Sequence, residues 1–119
     1  MILCDVVGTV VMTVKHPALA GEKVLCCQPL DDAKEPAGAV ILAVDRAQAG
    51  VGDRVLVMRE GNGVRQIIGR EQGKPLDEAV KMDWPVRSMV VGVVDRVDVA
   101  PRGASVGGAS LGRARDAKA

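Results

Sequence analysis

Polar and apolar positions alternate with a period of two from residue 5 to residue 15. Val6, Gly8, Val10, Met12 and Val14 share one face, and Asp5, Val7, Thr9, Val11, Thr13 and Lys15 form a more polar one. That pattern predicts a strand over residues 2–15 with one buried face, bent at Gly8. His16-Pro17-Ala18-Leu19-Ala20-Gly21 ends it, because Pro17 has no N–H to donate and Gly21 permits a turn. Further apolar runs predict strands over residues 23–30, 40–44, 54–59 and 86–99. In the last of these, Met89, Val91, Val93, Val97 and Val99 face one side and Gly92 allows a bend.

The connections are equally readable. Residues 31–38 are a charged surface loop. Between the third and fourth strands, Ala47-Gln48-Ala49-Gly50-Val51-Gly52 is a segment of mostly small residues. Gly50 and Gly52 can take the positive φ of a tight re-entry, and Asp53 is suited to bond its own turn. Residues 61–68 read as a flexible turn leading into a short apolar segment. Residues 75–82 read as a short helix: Pro75 stands first, Asp77 and Glu78 lie in the first turn, and Leu76, Ala79 and Val80 share a face. Trp84-Pro85 stops it. Five short strands, glycine bends and one helix predict an all-β fold, a small five-stranded barrel of the oligonucleotide/oligosaccharide-binding type, over residues 1–99. Residues 100–119 are dominated by Gly, Ala, Ser and Arg and bring little apolar surface to offset ordering, so a mobile tail is expected there.

Composition narrows the function. A chain of 119 residues makes one domain, able to bury roughly two thirds of its unfolded surface. Sixteen basic and fifteen acidic residues leave a net charge of +1, which gives no footprint for nucleic acid or an anionic membrane. Trp84 is the sole aromatic residue, so a base-stacking platform is disfavoured as well. Cys4, Cys26 and Cys27 lack metal-ligand spacing, and Cys26 and Cys27 point to opposite faces of a strand. They read as buried small hydrophobes in a reducing cytosol, unbridged and without metal. Residues 1–5 show neither a basic nor a long apolar segment, and a soluble intracellular protein is expected.

Candidate chemistry is sparse. His16 stands alone in a turn, and Asp31 and Asp32 lie in a loop where nothing would tune one of them as an acid. Gly50-x-Gly52 lacks the strand-to-helix setting of a dinucleotide loop. Glu78-Ala79-Val80-Lys81-Met82 is similar to the hairpin that bears the modified lysine of biotin carriers, but Asp83-Trp84-Pro85 follows where a second half-barrel would be needed. Residues 49–56 resemble strand entries of ring-forming co-chaperonins, yet residues 16–21 are too short for their mobile loop. No catalytic residue, cofactor or metal is expected.

The ordered set of motifs resembles the EutN/CcmL family of pentameric vertex proteins of bacterial microcompartment shells. The match runs through Gly8-Thr9-Val10-Val11-x-Thr13-x-Lys15, Leu19-x-Gly21-x-Lys23-Val24-Leu25, Ala43-Val44-Asp45 and Ala49-Gly50-Val51-Gly52-Asp53-x-Val55-Leu56-Val57. It continues in Gly61-Asn62-Gly63-Val64-Arg65 and Pro85-Val86-x-x-x-Val90-Val91-Gly92-Val93-Val94-Asp95. The chain departs from the family pattern at Gln48, in place of a usual glycine, at Arg87, in place of a usual aspartate, and in a longer segment 70–84.

The resemblance implies a homopentamer, closed by head-to-tail contacts, at the vertices of a shell built otherwise from hexameric shell proteins. It implies no enzymatic activity and a place in the cytoplasm, with the 61–65 and 85–87 motifs closer to catabolic shells than to carboxysomes. Asp45, Arg65 and Asn62 become candidates for the subunit junction, and Val51 and Gly52 for the axial opening. The alternatives are an oligonucleotide-binding module, which would need a basic face, and a co-chaperonin-like ring.

Overall fold

The computed structural model describes residues 1–82 and 84–101. Five strands, β1 (Ile2–Val10), β2 (Val24–Pro29), β3 (Ile41–Asp45), β4 (Arg54–Met58) and β5 (Met89–Val93), close a barrel in the order β1-β2-β3-β5-β4, with β4 returning to β1. β5 inserts between β3 and β4, parallel to the first and antiparallel to the second. Consecutive strands β3 and β4 are therefore not neighbours. Residues 46–53 must cross two strand spacings, about 10 Å, over one end of the barrel. That crossing is braced by side-chain and main-chain hydrogen bonds at both ends.

The first strand is shorter than its alternation predicts, and its faces exchange partway along. β1 pairs with β2 through Val6↔Cys27 and then Gly8↔Cys26, so one extra residue, Val7, bulges out between them. A bulge moves every later side chain to the other face. Cys4 and Val6 point into the barrel, whereas Gly8 and Val10 pair with the outward residues Cys26 and Val24. Val6 and Val10 thus do not share a face. β5 is likewise shorter than predicted. Val90 enters the barrel while Met89 and Val91 pack outside it, and Val93 and Val99 are exposed. The expected tail lies, from residue 102 onward, outside the described residues.

The interior is filled by Cys4, Val6, Leu25, Cys27, Ala43, Val55, Val57 and Val90, drawn from all five strands, and by Ala49 from the crossing loop. Small and β-branched side chains suit so narrow a barrel. Cys26 and Cys27 do face opposite ways: Cys27 is fully buried and Cys26 partly exposed. Burial, with Cys4 as the next contributor, pushes the Cys27 thiol up to about 11 from 9.0.

The main correction concerns residues 61–68. Instead of a flexible turn they open an eleven-residue helix, α1 (Gly61–Glu71). Two glycines and an asparagine in the first turn are poor helix formers, and Glu60 makes no capping bond through its side chain. Packing overrides that local cost. Val64 and Ile68, one turn apart, bury against Val24, Val44 and Met89 on the outer face of the sheet. Gly63 also leaves space for Met58: a Cβ there would stand 2.6 Å from Met58 Sδ, and that flexible side chain would have to shift. The helix expected over residues 75–82 is present as α2 (Leu76–Ala79), begun by Pro75 and packed on α1.

Candidate functional site

Two regions hold the residues singled out from sequence. The first is the crossing loop. Asp45 ends β3 with a carboxylate only 4% exposed. Its Oδ1 accepts from Ala47 N–H at 2.9 Å and its Oδ2 from Ala49 N–H at 3.0 Å, with Lys23 Nζ 3.6 Å away. Lys23 also donates to the Ala49 carbonyl. Asp53 closes the far end: its Oδ2 accepts from Gly50 N–H at 2.8 Å. Main-chain bonds from Gly52 N–H to Val6 O, 3.0 Å, and from Val6 N–H to Asp53 O, 2.8 Å, staple the loop to β1. Buried polar groups at a barrel end must find partners, and here each aspartate serves as a turn template.

Gly52 takes φ +96° at the tip, beside Val51, which is 65% exposed. Gln48 adopts φ +57°, a left-handed conformation that glycine takes without cost. Between them Ala49 dips into the core. The loop therefore presents one apolar side chain on a rigid tip.

Sequence reasoning missed Arg46. Its guanidinium donates to Glu22, 2.8 Å from Nη2 to Oε1, and to Glu71, 2.8 Å from Nε to Oε2. It thereby ties the crossing loop to the approach to β2 and to the last turn of α1. These bonds, that to Glu22 first, raise its pKa above the ordinary arginine value. Residue type alone carries no sign of this, since the three charges lie 24 or more positions apart in sequence. A second pair, Arg54 Nε to Asp5 Oδ1 at 2.8 Å, sits across the β1–β4 seam at directly opposed positions.

The second region is the start of α1. Arg65 lies one turn into the helix, its Nε donating to the Val80 carbonyl at 3.2 Å and its Nη2 to Asn62 Oδ1. The structure thus brings Arg65 and Asn62 together and binds the α1 start to the segment after α2. Asp45 finds its partners elsewhere in the chain, at Ala47, Ala49 and Lys23. His16 accepts from Ala18 N–H at 3.0 Å as the cap of a short 3₁₀ turn, Pro17–Leu19. Among the described residues no three metal-ligating side chains come together, and no helix is long and apolar enough to cross a membrane.

A family model described as "Ethanolamine utilisation protein EutN/carboxysome" matches residues 1–95. The chain is similar to the carboxysome shell vertex protein CcmL of Synechocystis, at 40% identity over 84% of this chain and 88% of that one. Its backbone is similar to the structure of Gloeobacter violaceus CcmL, with TM-score 0.67 and 33% identity over 83% of this chain and 90% of that one. It is similar also to GrpN, a pentameric microcompartment shell protein from Rhodospirillum rubrum. There the TM-score is 0.64 and the identity 30%, over 85% of this chain and all of that one.

Proposed function

Because this chain belongs to the EutN/CcmL family, we propose that it is a structural shell protein, not an enzyme, whose pentamers cap the vertices of a bacterial microcompartment. The observation that carries the reading is the closed barrel with its braced crossing loop, similar over nearly the whole length of a pentameric shell protein. On this reading the protein resides in the shell, within the cytoplasm, beside hexameric shell proteins. Its relatives include carboxysome and other microcompartment proteins at comparable identities, 40% and 36%. The catabolic assignment accordingly rests on the 61–65 and 85–87 motifs alone.

Each part of the fold has a use in this role. A ring needs two different faces on each subunit, meeting head to tail. Outward residues Gly8, Cys26 and Leu42 stand in register across β1, β2 and β3, and Leu42 is 55% exposed. Such a strip is an apolar face for a neighbour. Arg65, with Asn62 fixing its orientation, supplies directed donors at the junction, and Asp45 acts there by shaping the crossing loop. Val51 and Gly52, at the tip of that loop, line the axial opening.

Native mass spectrometry tests the assignment. A single species of five chains at micromolar concentration is expected. A monomer would end the vertex reading, and a six-membered ring would keep the fold and reject the vertex position.

A further inference from the structure

One pocket, beside the junction candidates Arg65 and Asn62, carries a further chemistry. It occupies about 430 Å³ and is lined by Glu60, Gly61, Asn62, Arg65, Trp84 and Arg87, together with Pro85. Two guanidiniums converge in it on a single point. From the position a Cβ would take on Gly61, Arg65 Nη1 is 3.2 Å away and Arg87 Nε 3.7 Å. The lack of a side chain at Gly61 keeps that point clear, and an oxygen there would stand within or near hydrogen-bond reach of both cations.

Neither guanidinium has an ion-pair partner among the described residues. Arg65 spends its Nε and Nη2 on neutral acceptors, the Val80 carbonyl and Asn62 Oδ1, and no hydrogen bond is made by Nη1. Arg87 has no carboxylate partner among the described residues. The first N–H groups of α1 add positive potential at the same place, and no side chain caps them. Glu60, which also lines the pocket, forms an ion pair with neither arginine. Two like charges at close range cost free energy unless an anion lies between them. Arg65 is moreover held in position by its other bonds, so little ordering is required on binding.

We propose that this pocket binds a small oxyanion, a carboxylate or a phosphate, between Arg65 and Arg87 over Gly61. Guanidiniums match such oxygens with paired, charge-assisted hydrogen bonds. The anion has two possible sources with this chemistry: a free small molecule, or a carboxylate side chain from the next subunit.

Trp84 lines the pocket and is the sole aromatic residue, so its emission reports on the site without interference. The full chain is titrated with potassium phosphate and with potassium acetate, against potassium chloride at equal ionic strength. A saturable change in emission is expected for at least one oxyanion and none for chloride. Arg87→Gln should weaken the response about tenfold. Gly61→Ala should weaken it too by filling the gap, while helix propensity favours its folding. If instead the next subunit supplies the carboxylate, free salts leave the emission unchanged and Arg87→Gln moves the native mass from ring to single chain. A silent titration together with an Arg87→Gln ring of unaltered stability overturns the site. A phosphate response in a protein that proves monomeric supports the site while ending the vertex reading, so the two fail separately.

Discussion

Gln48 is the residue whose backbone most nearly contradicts its side chain. At φ +57° it occupies a conformation costing a non-glycine residue about 1–2 kcal/mol, yet the bonds that Ala47 and Ala49 N–H, on either side, donate to Asp45 hold it there. Gln48→Gly should remove that strain against an unfolded-state penalty of about 0.4–1 kcal/mol. Stability equal to or slightly above the parent is expected in chemical denaturation. Gln48→Val should lose about 1–3 kcal/mol, because a β-branched side chain is worse in this region. The thiols form a second residue-scale test. In the dissociated subunit at neutral pH a thiol reagent should modify Cys26 first, with Cys4 and Cys27 reached only on unfolding, since both are fully buried. The folded pKa of Cys27, about 11, lies above its ordinary 9.0. The native state then holds a proton that the unfolded state releases. This contribution is fully present below pH 9 and fades as the pH rises through 11, and alkaline melting curves should show the loss.

At the scale of elements, α1 and its docking on α2 are the vulnerable joint. Gly69 lies against Ala79 so closely that a Cβ would stand 2.3 Å from the Ala79 Cβ and 3.1 Å from its Cα. Ala79 is itself 1% exposed and has nowhere to retreat. Gly69→Ala should therefore displace α2, at a cost of about 1–3 kcal/mol that exceeds the helix-propensity gain of up to about 1 kcal/mol. Faster amide exchange confined to α2 and a lower melting temperature would report it. An unchanged melting temperature would mean that α2 shifts freely. Ile68→Ala removes a side chain from the outer core and should cost about 2–5 kcal/mol.

At the scale of the whole molecule, the prediction concerns assembly. If Arg65 serves the junction, Arg65→Ala should cost about 2–4 kcal/mol at each contact and shift the native mass toward single chains, while β-type circular dichroism remains. A ring of unaltered melting would return Arg65 to an ordinary surface role. Outright unfolding would show that its bond to the Val80 carbonyl matters more to the subunit than to the ring. The five strands were legible in the sequence because period-two alternation and glycine breaks are local signals, as was α2 through Pro75 and its first-turn acids. So was the turn role of Asp53. Arg65 and Asn62 were legible only through their place in a family motif. What the chain alone could not disclose depends on contacts between distant residues. α1 exists because Val64 and Ile68 find the sheet, against the preference of Gly61-Asn62-Gly63. The face of β1 changes at Val7 because β2 imposes a bulge. Arg46 matters because the fold carries Glu22 and Glu71 to it, and Gly61 because the fold sets two guanidiniums beside it. Alternation and turn chemistry act over a few neighbouring residues and can be read in the chain itself. Burial and charge convergence act through space and were decided only when the barrel closed.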